Sequence, residues 1–326
     1  MADVSPSSDR VPVPPRPAGA SGARRVAGRR RGVGKRFLVV GDVLDGVLVQ
    51  TSASTVGAHD PAAVIRYQPA GAAGGTASWL GWLGAEVDLV GRVGVDDVVR
   101  HERALTDAGV RPHLRYDACV PTGALVAVRG PTGRTSMSDP AASGALRADD
   151  VDDALVQRAD LVHLTGVAVL GGGAARIAGL VARARSGGAR VSLDPSSSAV
   201  VREVGADAFL SALDGVDVLF PNVAEALALS GADDPGRALR RLTEVVPLVV
   251  VTTGSQGALV GRPGRPPLRV STTATTIGDT LGAGDAFAAG FLRAWATDPV
   301  RVTSAAREGA RVASLALGVA GARPPV

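Results

Sequence analysis

The chain has 326 residues, 46% hydrophobic and 20% charged, enough for one large domain or two small ones around a sizeable core. Aromatics make up only 3%, too few for a surface of stacked bases, and the single lysine, Lys35, precedes Arg36 and every recognisable structured segment, which excludes a Walker A loop and a protein-kinase strand lysine. One cysteine, Cys119, excludes a disulfide framework or a cysteine-based metal cluster; His59, His101, His113 and His163 do not pair at metal-ligand spacing, and no apolar run reaches a membrane span of about 18 residues.

The first segment, residues 1–36, carries nine basic groups against Asp3 and Asp9. That is +7 in a chain whose total is +4, so everything after it holds −3. It is rich in Pro, Gly and Ala and lacks apolar periodicity, so it is predicted to be a disordered basic tail. Two readings stay open for it: a solvated extension, or an electrostatic arm for an acidic partner. A nucleic-acid partner is not expected of the folded part, because the basicity is confined to the tail. A twin-arginine export signal fits poorly, since the apolar stretch from Phe37 runs straight into Gly41-Asp42. The expected location is the cytoplasm.

From Phe37 onward the pattern alternates. Short Val/Leu runs predict buried strands at 37–41, 87–91, 161–165, 190–194, 217–220 and 247–252. Ala/Leu/Arg segments predict helices at 96–108, 172–186, 203–213, 222–230, 283–296 and 300–319. Continuous apolar strands between helices predict an α/β fold, a mostly parallel sheet covered on both faces. Two stretches, 46–68 and 111–138, carry β-branched residues and turn signals without helical periodicity. They are expected to be antiparallel hairpins outside the main sheet, forming a small β lid over its carboxyl edge.

The most informative segment runs from Gly278 to Phe291. Gly282 and Gly284 flank Ala283 and open a helix, leaving backbone N–H groups unpaired at its positive end. Such a turn is an anion site suited to a phosphate. Asp285 lies in the first helical turn, where an acid can simply stabilise the dipole. Beside a bound phosphate it can instead serve as a base for a substrate hydroxyl. Asn222 and Glu225 stand at i and i+3 of a predicted helix start, which reads equally as a capping box or as a pair facing one site. Thr252, Gly254 and Gly257 follow a strand in a glycine turn. Asp194 ends a strand before Pro195, either at the ligand edge of a parallel sheet or as an ordinary turn residue.

Asp279-Thr-Leu-Gly-Ala-Gly-Asp-Ala-Phe resembles the second signature of the ribokinase-like (PfkB) carbohydrate kinases. Leu83-Gly84 with Val90-Gly-Arg-Val-Gly-Val-Asp96, Asn222-Val-Ala-Glu225 and Thr252-Thr-Gly-Ser-Gln-Gly257 are similar to the family's other landmarks and occur in its order. The resemblance covers about residues 37–323. It implies a ribokinase-like three-layer α/β/α domain over 37–326 with a small lid. It further implies transfer of the ATP γ-phosphoryl group to a sugar or nucleoside hydroxyl. Asp285 would be the general base, and the amides of Gly282, Ala283 and Gly284 the anion hole. Thr252, Gly254 and Gly257 would approach the nucleotide. Asn222 and Glu225 would help position Mg²⁺ through water. Asp279 resembles a residue near the monovalent-cation site of potassium-activated members, and a homodimer through the lid is among the implied partners.

Departures from the family pattern fall on the sugar side. The family's Gly-x-x-x-x-Asp opening meets Gly46 at full spacing, with Asp42 and Asp45 on offer instead. Asp45, nearer the usual spacing, is expected to bind the acceptor hydroxyls. The family's Gly-Gly and Asn align with Ala70-Gly71 and Gly75, so a side-chain amide expected on the substrate is missing. Leu281 replaces the commoner Thr. Two other functions compete: a nucleoside kinase, disfavoured because Tyr67 and Tyr116 are the only tyrosines, and a ligand-binding member without turnover.

Overall fold

A computed structural model describes residues 34–52, 62–131, 133–166, 173–272, 280–318, 321 and 323–325. The expectations for residues 1–33 and for Asp279 lie outside these. The described chain opens with β1 (Arg36–Val40), β2 (Leu44–Gln50), β3 (Val64–Ala70), α1 (Ala72–Trp82), β4 (Glu86–Gly94), α2 (Val98–Asp107) and β5 (Val110–Asp117). It continues through β6 (Thr122–Gly130), β7 (Gly133–Ala141), α3 (Asp153–Arg158), β8 (Leu161–Thr165), α4 (Gly173–Ser186) and β9 (Arg190–Asp194). Then come α5 (Ser198–Val204), α6 (Ala206–Ser211), β10 (Val218–Leu219), α7 (Val223–Ser230), α8 (Pro235–Leu242) and β11 (Val249–Thr252). It closes with β12 (Ala258–Gly261), β13 (Leu268–Val270), α9 (Ala283–Thr297) and α10 (Val302–Ala316).

Nine strands form the main sheet in the order β13-β12-β11-β10-β9-β8-β1-β4-β5. The pairings from β11 through β5 are parallel, and β12 and β13 are added antiparallel at one edge. Side chains of β1 alternate between two cores. Phe37 and Val39 join Trp79, Phe287 and Phe291 beneath α1, α9 and α10. Leu38 and Val40 join Ile177, Phe209, Leu229 and Leu239 beneath α4, α6, α7 and α8. Strands buried on both faces read as unbroken apolar runs, which is why periodicity located them. The result is a three-layer α/β/α domain.

A second sheet, β3-β2-β6-β7, is the lid. Its outer pairs are antiparallel, but β2 and β6 run parallel. Residues 111–117, expected in the lid, instead belong to β5 at the edge of the main sheet, paired with β4 along its length. An edge strand is half exposed and tolerates Pro112, so it lacks the apolar run that marks an inner strand. The helix predicted over 203–213 is broken at Gly205, whose φ of 86° no continuing helix accommodates. Among the described residues no helix is long and apolar enough to cross a membrane.

The topology gathers the motifs at one edge. Strands β1, β8, β9, β10 and β11 all end there, followed by Asp42, Gly166, Pro195, Asn222 and the turn from Thr253. An isolated parallel bridge joins Asn222 to Thr252, side by side although far apart in sequence.

Candidate active site

A cavity of about 720 Å³ opens along this edge between the lid and α10. Asp42, Gly71, Asn222, Glu225, Thr252, Gly254, Gly257, Gly282, Ala283, Gly284 and Asp285 all line it. The sequence motifs therefore converge on one site. Of the expected site residues, Asp45 and Gly75 do not line it, and Asp279 lies outside the described residues.

The floor is the start of α9. Gly282 caps the helix in the left-handed region, with φ 74°, so the chain turns sharply into Ala283. Asp285 follows in the first turn. Burial raises its pKa well above the ordinary carboxylate value, and Asp194, Asp42 and Glu225 push in the same direction. This is a site crowded with acids and short of cations.

Glu225 and Asn222 are fastened to each other. The Asn222 backbone N–H donates to Glu225 Oε2 at 2.8 Å, and the Glu225 N–H donates to Asn222 Oδ1 at 3.0 Å. The Asn222 amide also donates to Glu225 Oε1 at 2.6 Å. The capping reading of this pair holds, and both side chains still face the cavity. Burial drives Glu225 up to about 8, with Asp194 adding to it. Asp194 rises to about 7 through burial, opposed by the Ser196 N–H it accepts at 2.7 Å and reinforced by Asp42.

Of the two candidate aspartates after β1, the structure brings Asp42 and not Asp45 to the cavity. Asp42, 3% exposed, lies on the cavity wall. Its carboxylate accepts from the Ala72 amide at 2.7 Å, the Ala73 amide at 3.3 Å and the Thr165 hydroxyl at 2.7 Å. It thus caps α1 from a distant strand end, since Gly71 has no side chain to do so. Asp45 turns instead to Arg100, which donates to its two oxygens at 2.6 and 2.8 Å, with His101 Nε2 3.2 Å away. The missing residue after β1 shifts Asp45 out of the position that the family spacing assigns.

Further lining residues were not among the expected site residues. Alternate residues of β7, Arg134, Ser136, Ser138 and Pro140, present one face of the lid to the cavity. Arg134 donates to Thr280 Oγ1 at 3.0 Å across the opening. Leu281 packs into the lid against Leu48, Ala127 and Leu125. Apolar Ala310, Ala313 and Leu317, in and just after α10, also line the cavity. Sequence reading placed 111–138 in the lid without assigning its faces, which the fold decides.

Comparison with known proteins agrees with this fold. A family model described as pfkB family carbohydrate kinase matches residues 35–326. An ATP-dependent ribose-1-phosphate kinase from Halopiger xanaduensis is 32% identical over 286 residues, 78% of this chain and 86% of that protein. A 1-phosphofructokinase from Rhodobacter capsulatus is 33% identical over 257 residues, 74% of this chain and 77% of that protein. Among solved structures, an adenosine kinase from Sinorhizobium meliloti has a TM-score of 0.77 at 24% identity, covering 90% of this chain and 96% of that one.

Proposed function

Because the chain belongs to the pfkB family of carbohydrate kinases and is an ATP-dependent sugar kinase, we propose that Asp285 is its general base. The observation that carries this is the position of Asp285, on the cavity floor in the first turn of α9 beside the amides of Gly282, Ala283 and Gly284. The acceptor hydroxyl gives its proton to the Asp285 carboxylate as its oxygen bonds to the γ-phosphorus of ATP. The bond from that phosphorus to the bridging oxygen breaks, and ADP keeps the electron pair. The helix-start amides stabilise the charge on the transferring group.

The nucleotide lies toward Thr252, Gly254, Gly257 and the apolar patch of Ala310, Ala313 and Leu317. The acceptor lies under the lid against Asp42 and Gly71, with Arg134, Ser136 and Ser138 above it. Arg134 suits an acceptor that carries a phosphate, as the name of the Halopiger relative also supports. Asp45, held by Arg100, is not part of this reading.

The oxygen donors of Asn222 and Glu225 fit Mg²⁺ held through water. Among the described residues no group of three or more His, Cys, Asp or Glu could hold a metal ion directly, and Asp194 raises the pKa of buried Glu225. When bound, Mg²⁺ supplies charge neutralisation to the phosphates. Val64, Ile65, Tyr67 and Met137, exposed on the lid, support pairing of two copies through it. Sedimentation of a Tyr67→Glu variant checks that pairing.

The deciding experiment is an ATP-consumption screen over pentoses, hexoses, sugar phosphates and nucleosides, with product identified by mass. Phosphorylation of a sugar that is retained in Asp285→Asn removes Asp285 from the mechanism. Turnover confined to nucleosides favours the competing nucleoside-kinase reading.

A further inference from the structure

Among the described charged groups that act on Asp285, all but one are acids. Asp42 acts from the loop after β1, Asp194 from the end of β9 and Glu225 from α7. The exception is Arg323, in the segment after α10, which alone favours the ionised form. Both side chains are seated against α1. A Cβ at Gly74 would lie 2.6 Å from Arg323 Nη2, and a Cβ at the next residue, Gly75, would collide with Asp285 Oδ2. Two successive glycines therefore open the pocket in which the carboxylate and the guanidinium sit.

The Nε, Nη1 and Nη2 of Arg323 are buried and have no hydrogen-bond partner among the described residues. Around it stand Asp285, Asp45 of β2, already paired with Arg100, and His101 of α2, which burial holds neutral with a pKa lowered to about 4. A buried, unpaired charge costs several kcal/mol and is retained only where surrounding charge compensates it. Here Asp285 and Asp45 do so, against a burial that lowers the arginine to about 10.

We propose that Arg323 is the positioning residue of the base: seated over Gly74, its unpartnered guanidinium places a positive charge beside the Gly75 pocket that the Asp285 carboxylate occupies. The role rests on Asp285 being the base.

The test compares the full chain with Arg323→Met, Arg323→Lys, Gly74→Ala and Asp285→Asn, using the acceptor found by the screen. Arg323→Met is expected to move the acidic limb of the kcat profile upward by about one pH unit or more, roughly tenfold in rate at a fixed pH below the limb. Rate should recover at higher pH, with the KM for ATP unchanged. Arg323→Lys should restore most of the profile. Gly74→Ala keeps the arginine but displaces Nη2, and should shift the limb in the same direction by less. An acidic limb unmoved in both Arg323→Met and Gly74→Ala overturns the proposal, while an inactive Asp285→Asn then leaves the base intact. Should Asp285→Asn keep its turnover, the base itself fails and the role of Arg323 with it.

Discussion

Asn222 and Glu225 close the first turn of α7 by exchanging hydrogen bonds, 2.8 Å in one direction and 3.0 Å in the other. The same contacts that cap the helix hold a buried carboxylate rigidly against the cavity. Stability and site geometry are thus carried by one pair. Glu225→Gln keeps the cap's shape and should cost less than about 1 kcal/mol of stability. ATP turnover should fall far more than that stability change explains. Thermal melts beside steady-state kinetics check it, and an equal loss in both would make the pair purely structural.

The base is tested by charge at constant shape. Asp285→Asn should lower kcat by about 10²-fold or more, because the amide cannot take a proton. Nucleotide binding measured by calorimetry should persist.

The two aspartates after β1 should separate cleanly. Asp42→Ala removes a carboxylate from the cavity wall and is expected to lower kcat/KM for the acceptor by roughly 10–150-fold, the worth of a charged hydrogen bond. It also uncaps α1, so its melting temperature should drop. Asp45→Ala breaks an ion pair with half-exposed Arg100 and should change kcat/KM much less. The opposite ranking would return the acceptor site to Asp45.

Leu281 joins the phosphate-binding turn to the lid. Leu281→Ala should raise the acceptor KM by roughly tenfold, about the worth of two buried methylenes, with the KM for ATP little changed. Equal effects on both constants would show that Leu281 shapes the turn and not the lid.

Stability should depend on pH through the acid cluster. Glu225 rises from 4.5 to about 8 and Asp194 from 3.8 to about 7 on folding. Both bind protons more tightly when folded, so their contribution to stability is fully present below about pH 4 and is lost as pH rises through about 7 to 8. Melting temperatures of the ligand-free protein across that window check the slope. Glu225→Gln should flatten it.

What could be read from residues alone was whatever is encoded within a few positions. The apolar runs marked the inner strands, Gly282-Ala-Gly284 marked a helix start with free amides, and Asn222 to Glu225 marked a cap. Each depends on local backbone geometry and burial on both faces, which sequence spacing reports directly. Tertiary structure decided everything that rests on residues far apart in the chain. Asp42 meets Ala72 and Thr165, so it stands at the cavity while Asp45 is drawn to Arg100. β5 joins the main sheet because β4 extends to receive it, and Leu281 finds the lid through Leu48 and Ala127. The pocket for Asp285 and Arg323 exists because α9 and the segment after α10 meet Gly74 and Gly75 on α1. No local pattern could signal that meeting, because long-range packing alone determines which side chain fills the space a glycine leaves.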